Sequence, residues 1–384
     1  MRLHAGTMAI NEVAAGGIVS VLPPREGFSP LAVGAVGMMV RMLAAPDDLV
    51  IGNDTGGAAR FPCPAFMPVS HVFWPPFGRT ERYMAGAVKR LRALRPALVE
   101  VHNRANLARD VARALPDVPV CLFLHNDPQG MRAAKSAGER EALLRLATVV
   151  CVSTYLQARF MEGVGDGPAA LHLPNALDLS ALPARLAPGA RERVFLFVGR
   201  AVADKGADAF VQAFAEARGA LPGWRAVMIG ADRFFPGSPE TPFLRRLRVE
   251  AAAAGVEMLG YRPHADVLEA MARAAVVAVP SRWQEPFGLT ALEALASGAA
   301  LICAPHGGLP EVAGDAALYA APDAPGALAA AMVRLGGDAA LREQLATAGL
   351  ARAQQFDALP ARARLAALRG RLVESGRGAP HTSD

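Results

Sequence analysis

Cysteine, aromatic rings and long apolar runs are what this sequence has little of. Its 384 residues include 4 cysteines and 3 tryptophans, and aromatic side chains make up 6%. Cys63, Cys121, Cys151 and Cys303 lie far apart and form no C-x-x-C. That argues against a disulfide framework or a zinc site, and leaves reduced, buried thiols in the cytosol as the expectation. No block of lysine and arginine is interleaved with aromatics, so nucleic acid is not an expected partner. The net charge of +5 suits an anionic ligand or surface instead. Residues 17–22 have only the length of a strand, and Asn11 and Glu12 break what would be a signal segment. No signal peptide and no spanning helix are expected, and any membrane contact would be peripheral. No G-x-G-x-x-G follows the run 18–22, and Gly163, Gly165 and Gly167 come after a helix. A dinucleotide-dependent oxidoreductase is disfavoured on that ground.

What is present is apolar bulk in short, regular pieces. Hydrophobic residues make up 52% and charged residues 20%, as in a globular chain of two or three domains. Apolar runs at 18–22, 97–101, 118–124, 148–152, 194–198, 225–229, 276–279 and 300–303 alternate with helical stretches. Such runs predict parallel strands buried on both faces, hence an α/β, doubly wound class. Pro183, Pro188 and Gly189 sit among charges, so 1–182 and 194–355 are read as two domains joined by a linker at 183–193. Residues 339–353 predict a helix, and Pro360 starts another to about residue 372, with a frayed tail from 374. In that last helix Leu365, Leu368 and Leu372 recur at i, i+3 and i+7, making one apolar stripe that must be buried.

Two segments carry candidate chemistry. The run 194–198 delivers Gly199 and Arg200, then Lys205 and Gly206, to a strand's carboxyl end, where open α/β sheets bind ligands. Two cations beside a glycine suit a diphosphate; a pair of solvated loop cations is the plainer alternative. The run 276–279 ends at Pro280 and Ser281, a loop then holds Glu285, and Gly288 opens a helix carrying Glu293. Backbone N–H groups at that helix start can bind phosphate. Were the span fully helical, the two carboxylates would stand about 12 Å apart, too far to share a proton or a metal. They could grip opposite ends of a hydroxyl-rich ligand. Alone, each also reads as an ordinary helix carboxylate. Gly298, Gly307, Gly308 and Glu311 follow, and the ensemble is more specific than either acid.

That ensemble resembles the family 4, or group 1, retaining glycosyltransferases of the GT-B type, strongly over residues 194–319 and less so before. Glu285 and Glu293 match the family's Glu, seven residues, Glu. Gly199-Arg200 with Lys205-Gly206, and Gly307-Gly308 with Glu311, match two further elements. Pro174-Asn175-Ala176-Leu177-Asp178 is similar to its Pro-Asn-Gly-x-Asp, with Ala176 in place of glycine. The resemblance implies two Rossmann-like domains facing each other across a cleft, with a C-terminal helix, at 356–375, crossing back to the first. It implies that Arg200 and Lys205 neutralise the diphosphate of a nucleotide-sugar donor, and that Glu293 holds ribose hydroxyls and Glu285 the transferred sugar. Backbone N–H groups of Phe287, Gly288 and Leu289 would complete the grip. It implies catalysis without a bound metal or cofactor, in line with the absence of any Asp-x-Asp. UDP is the expected donor nucleotide, with GDP next.

In the N-terminal half, the segment 23–30 after the first strand holds Glu26, Gly27 and Phe28, a loop placed to meet donor sugar or acceptor. The family's two glycines are here the separated Gly27 and Gly34. The run 118–124 ends in His125-Asn126-Asp127, a site candidate that also reads as a turn capped by Asp127. Resemblance implies that His125 touches a donor-sugar hydroxyl. His102, at the end of 97–101, is the neighbouring candidate on the acceptor side, together with Glu26 and Asp127. His71 and His172 are read as surface or core histidines. Residues 79–95 form a basic amphipathic helix, preceded by Phe73, Trp74 and Phe77. Tyr83, Met84, Val88, Leu91 and Leu94 share one arc, and Arg79, Arg82, Lys89, Arg90 and Arg92 the other. A Rossmann helix with a solvated face is the plainer reading; docking on anionic lipid, beside a lipid-linked acceptor, is the other. The expected activity is transfer of a sugar to a glycan or lipid-linked hydroxyl in cell-surface polysaccharide or lipopolysaccharide synthesis, on the cytoplasmic side. A nucleotide-sugar epimerase and a non-catalytic sugar-binding protein are the rival readings.

Overall fold

The apolar runs become parallel strands, in two separate sheets. The computed structural model describes residues 16–30, 33–54, 60–69, 78–230 and 240–377. His71, Phe73, Trp74 and Phe77 lie outside them, as do Asn11, Glu12 and the tail beyond residue 377. The chain divides into two units. One joins everything up to Ala176 to the chain from Ala358 onward; the other is Leu177–Asp357.

The first unit's sheet runs β3-β2-β1-β4-β5-β6-β7, every pair parallel. Its strands are β1 Ile18–Val21, β2 Leu49–Gly52, β3 Ala65–Pro68, β4 Leu98–His102, β5 Val120–Leu124, β6 Thr148–Cys151 and β7 Leu171–His172. The central strands β4 and β5 are buried throughout, as covered parallel strands must be. The helix Arg79–Leu94 buries Tyr83, Met84, Leu91 and Leu94, and Tyr83 donates to the Leu22 carbonyl at 2.6 Å. Arg79, Lys89 and Arg92 are exposed, so this is a packed Rossmann helix with a solvated basic face. Among the described residues no helix is long and apolar enough to cross a membrane.

The second unit's sheet runs β10-β9-β8-β11-β12-β13, again all parallel. Its strands are β8 Glu192–Val198, β9 Arg225–Ile229, β10 Val256–Met258, β11 Ala274–Val279, β12 Ala300–Cys303 and β13 Ala317–Tyr319. In both sheets the first strand lies between the second and the fourth, the Rossmann order, and the connections change direction at that point. In the first unit the switch lies between β1 and β4, in the second between β8 and β11. The fold class is thus α/β with two Rossmann-like domains of the GT-B kind.

Several boundaries differ from the sequence reading. The segment 183–193 belongs to the second unit. Arg191 donates to the carbonyls of Met271 and Ala274 at 3.2 and 2.9 Å, and also to that of Ser297, so prolines and charges there stand for a docked strap. Cys63 is exposed, whereas Cys121, Cys151 and Cys303 are buried. Burial pushes the thiols of Cys151 and Cys303 up to about 12, which keeps them protonated. The last helix, Ala358–Arg377, begins before Pro360, which occupies its first turn, and runs beyond residue 374. It lies in the first unit. Leu365 and Leu368 pack with Leu98, Cys121, Phe123, Val150 and Leu173, and Leu372 lies at the margin. From the same helix, Arg369 reaches Glu100 through two 2.8 Å hydrogen bonds and Asp48 through a third of 2.8 Å. All three residues are buried, and Ser20 donates to Glu100 at 3.0 Å. Burial disfavours the charge on Arg369, but the two carboxylates outweigh it and its pKa is raised. Ala176 is packed beside Ala358 and Ala361.

Candidate functional site

At the switch point of the second unit, two loops meet backbone on backbone. Gly206 has φ +71°, and a Cβ there would stand 1.8 Å from the Pro280 carbonyl oxygen. Only glycine allows that approach. The amides of Arg282 and Trp283 both donate to the Asp204 carbonyl at 2.9 Å, which sews the loop after β8 to the loop after β11. Arg282 adds hydrogen bonds to the Ala203 carbonyl at 2.9 Å and to Asp208 at 2.6 Å. Gly199, at φ +155°, follows β8, and Arg200 next to it is exposed at the strand's carboxyl end.

This sewing brings Lys205 onto Glu285. Its ammonium lies 2.5 Å from Glu285 Oε1, with the side chains 26% and 12% exposed. Ser281, fully buried, places its hydroxyl 2.8 Å from the same oxygen. The Gly307-Gly308 pair backs this arrangement: a Cβ on Gly307 would lie 2.5 Å from the Glu285 nitrogen, and Gly308 N donates to Glu285 O at 2.6 Å. Gly288, at φ +109°, opens the helix Leu289–Ala296, so Phe287, Gly288 and Leu289 form its start. The span from Glu285 to Glu293 is therefore part loop, and the spacing estimate for a continuous helix does not apply to it. Glu293 accepts from His264 Nε2 at 2.7 Å, and this bond, ahead of the opposing effect of burial, raises the pKa of His264. His264 was missed in the sequence; it stands first in the helix His264–Arg273 with no motif around it. Among the described residues, no group of three His, Cys, Asp or Glu is arranged to hold a metal.

In the first unit, the carboxyl ends of the neighbouring strands β4 and β5 bring two histidines together. His102 Nδ1 lies 3.0 Å from His125 Nε2. The His102 ring stacks on Phe123, with centroids 5.0 Å apart, and lies 27° from the plane of His125, 5.3 Å away. Between them in sequence, Asn103 takes a left-handed φ of +54° and accepts from the His125 backbone amide at 2.7 Å. Burial first, and Arg369 second, push His102 down to about 3. Burial, then the neighbouring His102, holds His125 well below its usual range. Both rings are neutral at pH 7.

Two residues expected on the acceptor side have structural partners. Asp127 Oδ1 accepts from Gln129 N at 2.9 Å and its Oδ2 from Arg159 at 3.1 Å, which is the capped turn. Glu26 turns back onto the start of the helix Ala35–Leu43, accepting from Gly37 N at 2.9 Å. Burial raises its pKa, opposed by backbone hydrogen bonds from Gly37, Gly34 and Val36. Phe28, 1% exposed and stacked on Phe66 at 5.6 Å, pins the same loop to the core.

Residues 181–352, just under half the chain, match the family model of the glycosyl transferases, group 1. A D-inositol 3-phosphate glycosyltransferase of Acidothermus cellulolyticus is 30% identical over 304 residues, 74% of this chain and 64% of that protein. Another of the same name, from Segniliparus rotundus, is 37% identical over 138 residues, 36% of this chain and 30% of its own length. The matched stretches thus cover less than two thirds of these curated relatives. In structure, the Anabaena protein Alr3699/HepE, crystallised with UDP, superposes with a TM-score of 0.73 over 92% of this chain and 99% of its own, at 19% identity. The second unit therefore carries a group 1 glycosyl transferase sequence from residue 181 to residue 352, on a chain whose fold is that of two Rossmann-like GT-B domains.

Proposed function

We propose that this chain is a retaining, metal-independent glycosyltransferase of family 4 that moves a hexosyl group from a nucleotide-diphosphate sugar to an acceptor hydroxyl. The observation that carries the reading is the convergence of Gly199, Arg200, Lys205 and Glu285 at the carboxyl ends of β8 and β11, inside the segment that matches the group 1 family. Breaking the bond between the anomeric carbon and the phosphate oxygen leaves negative charge on the diphosphate and positive charge on the sugar ring. Arg200, Lys205 and the N–H groups of Phe287, Gly288 and Leu289 stabilise the leaving diphosphate. Glu293 takes the ribose hydroxyls, Glu285 the transferred sugar, and His125 a sugar hydroxyl. In a front-face attack the leaving phosphate accepts the acceptor's proton, so no nucleophilic carboxylate is required.

UDP is the donor nucleotide we favour, because the superposing Anabaena protein was crystallised with UDP. The acceptor is a glycan or a lipid-linked hydroxyl of cell-surface polysaccharide or lipopolysaccharide synthesis, met on the cytoplasmic side. The exposed Arg79, Lys89 and Arg92 support a peripheral place on anionic lipid. Thermal shifts with UDP, GDP and their sugars test the donor site, since a ligand that binds the native state raises the melting temperature. A rise with UDP-sugars and label transfer to an acceptor are expected. Isomerised sugar formed without acceptor would point to an epimerase, and binding without turnover to a sugar-binding protein.

A further inference from the structure

We propose that His102 is a positioning residue that locks His125 into the tautomer protonated on Nδ1, so that the open edge of His125 is a hydrogen-bond donor and never a base. The argument starts from the 3.0 Å contact between His102 Nδ1 and His125 Nε2. Both rings being neutral, a single proton lies in that contact, and it belongs to one ring or the other. If His125 Nε2 holds it, His102 must carry its own proton on Nε2.

That nitrogen is in no position to be a donor. His102 is 5% exposed, and its Nε2 is buried with no hydrogen-bond partner among the described residues. His102 lines a small cavity together with Ser20, Glu100, Asn175, Leu365 and Arg369. Both Glu100 oxygens are already taken, by Arg369 and Ser20. The Arg369 guanidinium lines the same cavity as His102. An unpaired N–H buried there costs more than an unpaired lone pair, and a cation lining the same cavity disfavours the N–H further. The proton therefore sits on His102 Nδ1 and is donated to His125 Nε2. His125 keeps its own proton on Nδ1, the ring nitrogen that makes no hydrogen bond among the described residues. Stacking on Phe123 holds the His102 ring in this orientation, so its Nδ1 stays directed at His125 Nε2.

The tautomer stands on this unit's geometry alone. What the donor meets rests on the transferase reading: a sugar hydroxyl oxygen, which His125 can hold but not deprotonate. Long-range 1H–15N correlation spectra of the whole protein, labelled with 15N-histidine, test it without substrate. The expected pattern is a protonated Nδ1 and a bare Nε2 on both His102 and His125. A protonated His125 Nε2 would overturn the proposal. In His102→Phe the stacked ring is kept and the donor lost, so His125 should populate both tautomers; an unchanged His125 spectrum would equally overturn it. Since no turnover is involved, a failure to find transferase activity would count against the proposed function and not against the tautomer.

Discussion

Each acid of the Glu285/Glu293 pair has its own basic partner, and that division predicts different losses. Glu293→Gln should weaken binding of free nucleotide about tenfold with turnover little changed, since ribose is held alike before and during reaction. Glu285→Gln should leave nucleotide binding near wild type and lower turnover by about a hundredfold, because in the proposed reaction it faces the charge that develops on the sugar. Titration and steady-state kinetics separate the two, and a pair of variants that both behave like wild type would remove the assignment. Glu26 offers a test by pH. Its folded pKa is raised above the ordinary 4.5, so its contribution to stability is present at low pH and lost as pH rises through the folded value. Glu26→Gln should therefore melt about 2 °C higher than wild type at pH 7. The difference should vanish below about pH 4, where wild-type Glu26 is protonated in both states. A gain that persists in acid would mean that packing, not ionisation, is responsible. At this scale the sequence displayed Arg200, Lys205, Glu285, Glu293, His102 and His125. It could not display their pairings, because Lys205 and Glu285 are 80 residues apart and meet only through the loop contacts at Gly206 and Gly307.

Among the elements, the helix Ala358–Arg377 joins a readable feature to a hidden one. Its leucine stripe can be counted off the sequence, and the leucines are buried in the first unit. Arg369 lies on the same buried side, yet nothing local marks it, because Glu100 is 269 residues away. Arg369→Met should cost roughly 3–5 kcal/mol by leaving two buried carboxylates without their cation. Leu365→Ala should cost about 2–5 kcal/mol as a cavity. Chemical denaturation followed by signals from the first unit measures both; an Arg369→Met cost below that of an exposed-site change would show that water already reaches Glu100. Strand recognition failed where strands are short or lie towards the sheet edges. β2, β3, β7, β10 and β13 were not read; β2 lies one strand in from the edge, and β7 is two exposed residues long. Such pieces present too few side chains for a period, and their pairing depends on the strand beside them. Helix Ala339–Ala353, longer and capped by Asp338, was legible from end to end.

For the whole molecule, the proposed chemistry predicts that transfer survives chelation. In that proposal Arg200, Lys205 and the helix start supply the electrostatics a divalent ion would otherwise provide. Turnover in excess EDTA should stay within about twofold of the untreated rate, and loss restored by magnesium or manganese would contradict this. Architecture at this scale was largely readable, since alternating apolar runs and helices specify a doubly wound class. The division of the chain was less so. Pro183, Pro188 and Gly189 looked like a linker, but Arg191 holds that segment to three carbonyls of the second unit.

The ion cluster of Arg369, Glu100 and Asp48 bears on how the protein is made. A ribosome delivers Asp48 and Glu100 early, then the whole of the unit Leu177–Asp357, and Arg369 only afterwards. Until that arginine emerges, the first sheet can close only by burying two carboxylates without their cation, charged or protonated, or by leaving β4 open to water. The nascent first unit therefore lacks its last helix throughout the synthesis of the second. Order of synthesis and order of completion are opposite in this chain, and residues 1–176 would lean on chaperones during that interval in a way that residues 177–357 would not.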